Sequence, residues 1–201
     1  MRVIFARHAE SAANAGIPCD NFELIPLTEK GRLQAQTLAV SWTETPTHIV
    51  SSPFLRTRET AEPTLARFPG VPVEFLPIFE FCNLHSERWS SNDREGKRTE
   101  EIRQWEVCDP EYIDGPGAES FSSLHGRAVV ALELLKQFPP DALIYAFSHG
   151  YFMQAVRMAI ELPHLAPAER MRSFLPSYDP RPFRNTDKLA LKWNGSLWTI
   201  I

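Results

Sequence analysis

Apolar runs that stop abruptly at polar residues recur along this chain, and most are followed by segments of helical period. Val3 to Ala6 stops at Arg7-His8 and Ala142 to Phe147 at Ser148-His149-Gly150, and the short strand-like Thr47 to Val50, apolar at Ile49 and Val50, leads into Ser51-Ser52-Pro53. Short continuous runs bounded in this way read as buried strands. Val71 to Phe75 is a further strand, which its prolines place at a sheet edge. Gly31, Ala35, Leu38, Ala39 and Trp42 share one face of a helix over 29–42 capped by Thr28. Gly31 there predicts a close approach to the sheet. Ser120 opens a second helix that carries Phe121, Leu124, Ala128, Ala131, Leu132, Leu135 and Phe138 on one face and ends at Pro139-Pro140.

Ser52-Pro53 reads as an N-cap and first helical residue, with Pro63 kinking or shortening the helix that follows. Another helix is expected over 151–161, and the proline-rich stretch from Pro163 to Pro182 reads as an extended loop. Asn194-Gly195 between two short strands is a hairpin signal. Alternating strands and helices predict a three-layer αβα sandwich with a mostly parallel central sheet, to which the last hairpin adds an antiparallel edge. The 201 residues are read as a single domain. Residues 83–118 form a polar cap insertion over the sheet edge, anchored by Trp89, Trp105 and Tyr112, with a helix over 99–107.

Charge narrows the partners. A net charge of -4 argues against a general nucleic-acid or anionic-membrane surface, and nine acidic against five basic residues in 83–118 disfavour a cap built for a polyanion. No stretch approaches the roughly 20 apolar residues of a membrane span. Cys19, Cys82 and Cys108 are odd in number and lack CxxC spacing, which fits a reducing compartment. The chain is read as soluble, cytoplasmic and unprocessed, because the four apolar residues Val3 to Ala6 are too few for a signal core.

The polar residues at the strand ends carry the chemistry. Arg7 offers a planar fork of donors suited to phosphate, and His8 beside it is a nucleophile near neutral pH. Arg56 lies in the first turn of the helix after the second strand, where the helix N-terminus also favours an anion, while Arg58 falls on another face. His149 repeats the placement of His8. Glu80 is a single carboxyl group among Ile78, Phe79 and Phe81, and an acid enclosed by apolar side chains keeps its proton more readily. No P-loop or GxGxxG sequence is present.

Five blocks occur together: Arg7-His8-Ala9-Glu10 with Asn14; Leu27-Thr28-Glu29-Lys30-Gly31 with Gln34-Ala35; Ser52-Pro53-Phe54-Leu55-Arg56 with Glu59-Thr60-Ala61; Gly117-Ala118-Glu119-Ser120 with Arg127; and Ser148-His149-Gly150. In this order they resemble the histidine phosphatase superfamily, whose members include cofactor-dependent phosphoglycerate mutases, and Asn185-Thr186 resembles a weaker terminal block. The resemblance implies that His8 becomes phosphorylated and that Arg7, Arg56 and His149 hold the phosphoryl oxygens. It implies that Asn14 assists them and that Glu80 donates the proton, with no metal or other cofactor. Ala9 stands where the family most often has Gly, and Arg58 where it often has Gln. Glu87-Arg88-Trp89 also resembles a mutase proton-donor segment, so Glu80 and Glu87 both stand as candidates. The expected activity is hydrolysis of a small-molecule phosphate monoester. The alternatives are a phosphoglycerate-type mutase and a non-catalytic protein that binds a phosphorylated ligand.

Overall fold

All six residues of β4 (Leu143–Ser148) are buried, as a strand with neighbours on both edges and helices on both faces requires. The computed structural model describes residues 1–19, 21–85, 94–174 and 183–201. The other described strands are β1 (Arg2–Arg7), β2 (His48–Ser51), β3 (Val73–Phe75), β5 (Lys188–Trp193) and β6 (Trp198–Ile200), in the sheet order β3-β2-β4-β1-β5-β6. The first four in that order run parallel, and the terminal hairpin β5-β6 adds the antiparallel edge to β1.

Period-two alternation divides the core into two layers. Val3 and Phe5 of β1 and Ile144 and Ala146 of β4 face α4 (Phe121–Leu135) and α5 (Gly150–Glu161). Ala6, Leu143, Tyr145 and Phe147 face the other side, against Leu38 of α1 (Glu29–Val40), Trp42 just beyond it and Ala61 of α2 (Leu55–Arg67). The three layers are those that the apolar pattern predicts.

Local departures have identifiable causes. Gly31 approaches the loop after β1 rather than the sheet: a Cβ there would lie 2.1 Å from the Glu10 carbonyl oxygen. Helix α2 begins two residues later than Ser52-Pro53 suggests. Phe54 is its N-cap and makes no side-chain capping bond, because a phenyl ring offers no acceptor, while the Ser52 hydroxyl lies 2.9 Å from His149 Nε2. Pro63 neither ends nor shortens α2, which continues to Arg67. Its ring forgoes one backbone bond. Packing on α1, including the Trp42 indole N–H donating to Thr64 Oγ1 at 3.0 Å, holds the helix through that position.

The stretch read as an extended loop contains α6 (Pro167–Phe174). Pro167 at its first position and Glu169, which accepts from the Ala166 N–H at 3.2 Å, together start the helix. Residues 175–182 of that stretch, and Trp89, lie outside the described residues. In the polar insertion the helix is α3 (Arg94–Val107), longer than expected, and its Trp105 stacks on Phe174 with centroids 5.6 Å apart. Among the described residues no helix is long and apolar enough to cross a membrane.

Candidate active site

Strand register brings three chain segments to one sheet edge. Arg7 is paired with Ser148 across β1 and β4, and Ser51 with Phe147 across β2 and β4. The next residues, His8, His149 and Ser52, therefore leave the carboxyl ends of adjacent parallel strands together, where open α/β sheets place ligands. The His8 N–H donates to the Ser148 carbonyl at 2.9 Å and the Ser52 N–H to the Phe147 carbonyl at 3.0 Å. The two imidazole centroids are 5.1 Å apart with their planes at 60°.

His8 Nδ1 lies 2.7 Å from the Ala9 carbonyl oxygen. A carbonyl only accepts, so Nδ1 carries the proton and Nε2 keeps its lone pair. Burial holds the His8 pKa well below 6.5, and the Arg56 and Arg7 guanidinium groups push it in the same direction. The backbone around it is fastened from three sides. Ala9 N–H donates to Thr60 Oγ1 at 3.0 Å, Glu10 N–H to Gln34 Oε1 at 2.8 Å, and Asn185 Nδ2 to the His8 carbonyl at 2.9 Å. Asn185 also donates to Asn14 Oδ1 at 3.0 Å, joining Asn14 to the same edge, although Asn14 itself is exposed.

Both arginines are buried and directed by backbone carbonyls. Arg7 Nη1 donates to Phe183 O at 2.7 Å, and Arg56 Nη1 to Phe22 O at 2.8 Å. The Arg56 guanidinium also lies over the Phe22 and Phe54 rings, 4.8 and 4.9 Å from their centroids. Burial lowers its pKa to about 10, opposed by the neighbouring Glu80 carboxylate, so it stays charged at neutral pH. A Cβ at Gly150 would lie 3.3 Å from Arg7 Nε, which explains the glycine directly after His149. Arg58 is exposed, so of Arg56 and Arg58 only Arg56 turns inward.

Glu80 is placed differently from the apolar enclosure its neighbours suggest. Its carboxyl group sits at the start of α5, where Oε1 accepts from the N–H groups of Tyr151 (3.0 Å), Phe152 (3.3 Å) and Phe81 (3.0 Å). Helix N-termini expose such unpaired donors, and a carboxylate is a suitable partner. The three donors fix Oε1 and leave Oε2 as the oxygen available to a substrate. The loop bearing Glu80 is held by Arg127, whose Nη1 donates to Phe79 O at 2.6 Å and Pro77 O at 3.2 Å. Glu87 lies outside the described residues. Cys82, next to this loop, has its thiol pushed up to about 12 by burial and the Glu119 carboxylate, which makes it a poor nucleophile.

Arg7, His8, Arg56 and His149 are thus brought into one electrostatically coupled group, with Glu80 beside Arg56 and Asn14 at its margin. Three contributors were not legible as such. Ser52 reads locally as a helix cap, Asn185 belongs to a weak terminal block, and Arg127 carries no sign in the sequence of where its guanidinium points. Among the described residues, no group of three or more His, Cys, Asp or Glu is gathered to hold a metal ion.

The fold is shared with solved phosphatases. The alpha-ribazole phosphatase of Shigella flexneri superposes with a TM-score of 0.77 at 22% identity, covering 100% of this chain and 95% of that one. A mycobacterial glucosyl-3-phosphoglycerate phosphatase gives 0.74 at 22% identity, covering 100% and 96%. In sequence, a protein of Shigella boydii named probable phosphoglycerate mutase GpmB is 30% identical over 203 residues, covering 98% of this chain and 87% of its own. An Escherichia coli protein of the same name is 32% identical over 154 residues, 75% and 70% of the two chains. The family model of the histidine phosphatase superfamily (branch 1) matches residues 3–177, through both histidines and both buried arginines, and the chain belongs to that superfamily.

Proposed function

We propose that the chain hydrolyses phosphate monoesters through a phosphohistidine at His8, without a metal ion. The observation that carries this reading is the His8 ring, whose Nδ1 proton is committed to the Ala9 carbonyl while Nε2 keeps a lone pair beside two buried guanidinium groups. In the first step, which requires Glu80 in its protonated form, Nε2 attacks phosphorus and the ester P–O bond breaks, with the leaving oxygen taking the proton from Glu80 Oε2. Arg7, Arg56 and His149 meet the charge on the three equatorial oxygens, where fixed donors contribute most to phosphoryl transfer. Asn14 adds its Nδ2 group at the margin. In the second step a water gives its proton to the Glu80 carboxylate and attacks phosphorus. The P–N bond breaks, inorganic phosphate leaves, and His8 returns neutral.

Rapid quenching during turnover of a phosphate ester, in the presence of a chelator, tests this directly. The native chain should yield acid-labile phosphohistidine and the His8→Ala chain none, with turnover reduced by about 10⁴-fold or more. Near-normal activity of His8→Ala would overturn the mechanism, and absence of any turnover by the native chain would favour a binding protein. A mutase reading is favoured by the name of the relatives that match nearly the whole chain. Against it stands the acid-rich 83–118 segment, a poor setting for the additional anionic groups of a phosphoglycerate. Phosphorus NMR of a phosphoglycerate incubation separates the two: inorganic phosphate accumulates in hydrolysis, and the positional isomer in mutase action.

A further inference from the structure

The hydroxyl of Ser52 has one proton to place. Its Oγ accepts from the Phe54 N–H at 3.3 Å and lies 2.9 Å from Nε2 of His149. Both residues have no solvent exposure. Nε2 is the one acceptor that the hydrogen bonds of the described residues offer that proton. The other nitrogen of the ring, Nδ1, is buried and has no partner among the described residues.

Two proton arrangements are conceivable, and they differ in what they leave unsatisfied. With the proton on Nε2, the ring would donate to Ser52, the buried hydroxyl proton would have no acceptor, and the Nδ1 lone pair would be turned on any anion bound beside His8. With the proton on Nδ1, Ser52 donates to Nε2, Phe54 donates to Ser52, and the unpartnered N–H is a donor for an anionic oxygen. Buried polar groups in folded proteins are satisfied in the great majority of cases, and the second arrangement satisfies all but the one group left for a ligand. Burial, Arg56 and His8 keep the His149 pKa well below 6.5, so a neutral ring with a definite tautomer is the species present at neutral pH.

We propose that Ser52 is a positioning residue that fixes His149 as the Nδ1–H tautomer, so that this N–H donates to the transferring phosphoryl group. His8 and His149 then carry their protons on the same ring atom for opposite purposes. His8 spends its Nδ1 proton on a backbone carbonyl and presents a lone pair, whereas His149 spends its Nε2 lone pair on Ser52 and presents a proton. The catalytic half of this inference rests on the phosphatase reading, and the tautomer does not.

The test is long-range proton–nitrogen NMR of the whole, ligand-free chain labelled with ¹⁵N-histidine at pH 7, with the His149 signals identified by their loss in His149→Gln. The native spectrum should show His149 protonated on Nδ1. Ser52→Ala should give a mixture of tautomers and lower kcat by about tenfold, the scale of one misplaced donor. Protonation on Nε2 in the native chain, or a His149 spectrum unchanged in Ser52→Ala, would overturn the proposal. The native spectrum decides the tautomer even if Ser52→Ala folds poorly. Loss of the phosphatase reading would show instead as full activity of His8→Ala with the His149 spectrum as described. An Nδ1–H tautomer whose loss in Ser52→Ala leaves kcat unchanged would overturn the catalytic half.

Discussion

Arg127 and Glu119 form a largely buried ion pair, with Nε 3.3 Å from Oε2 and Nη2 on Oε1, and the same guanidinium carries the carbonyls of Phe79 and Pro77. It also covers the Phe79 ring, 3.8 Å from its centroid. Because these are the residues leading into Glu80, the pair fixes the approach of the proposed acid to α5. Arg127→Ala should destabilise the chain by about 3 kcal/mol in urea unfolding, since Glu119 is left buried without its partner.

The leaving group then separates positioning from packing. Glu80→Gln should slow phosphorylation of the enzyme by an alkyl phosphate by about a hundredfold or more, and by an aryl phosphate with an acidic phenol much less, because a good leaving group needs no proton. Arg127→Ala should show the same ordering of the two substrates in single-turnover experiments. Equal losses with both substrates would remove Glu80 from the acid role and Arg127 from its support.

Arg56→Lys keeps a charge but loses the planar fork that reaches the Phe22 carbonyl and lies over two phenyl rings. We expect kcat/KM to fall by about tenfold or more while the circular dichroism spectrum stays native. Unchanged kinetics would place Arg56 outside the anion site.

Stability should fall on mild acidification. Burial holds His8 and His149 well below 6.5, and burial with the Arg170 charge brings His125 to about 4. These rings are neutral in the folded chain, whereas in the unfolded chain they take up protons below about pH 6.5. Folding free energy is therefore fully expressed above that pH and is lost as pH falls toward the folded values. The slope approaches about 1.4 kcal/mol per pH unit for each histidine. Urea unfolding between pH 7 and 5.5 measures it, and His125→Gln should reduce the slope without touching the site. A flat profile would mean that the histidines are charged in the folded chain.

Two helix glycines should respond oppositely to alanine. Gly31→Ala drives a Cβ toward the Glu10 carbonyl oxygen and should destabilise by about 2 kcal/mol or more, whereas Gly126 has open space around it on the exposed face of α4. Gly126→Ala should stabilise by about 0.5–1 kcal/mol through helix propensity and the unfolded chain. Thermal unfolding of both variants reads the signs.

Much of this fold is legible in the chain itself. Val3 to Ala6 and Ala142 to Phe147 are continuous apolar runs because both faces of β1 and β4 are covered, and His8 and His149 follow them directly. Thr28 and Ser120 cap their helices, accepting from Gly31 and Ser123, because these are contacts within one turn of chain. Helix α6 was hidden by the surrounding prolines, although Pro167 and Glu169 are ordinary helix-start residues. Arg7, His8, Arg56 and His149 stand out because they interrupt or follow apolar periodicity with residues suited to an anion.

Only the tertiary structure decided the partners of those residues. Ser52 faces His149 across 97 positions of sequence, Asn185 reaches the His8 carbonyl across 177, and Glu80 meets the amides of α5 across 71. Local pattern specifies which residues form a strand or a helix turn, since those bonds span a few residues. Which hydroxyl faces which imidazole depends on the register of parallel strands and the packing of helices on them. The sequence by itself determined the strands, most helices and the residues proposed to react. The sheet that aligned β1, β2 and β4 determined which ring atom of each histidine is held by a neighbour and which is left without one.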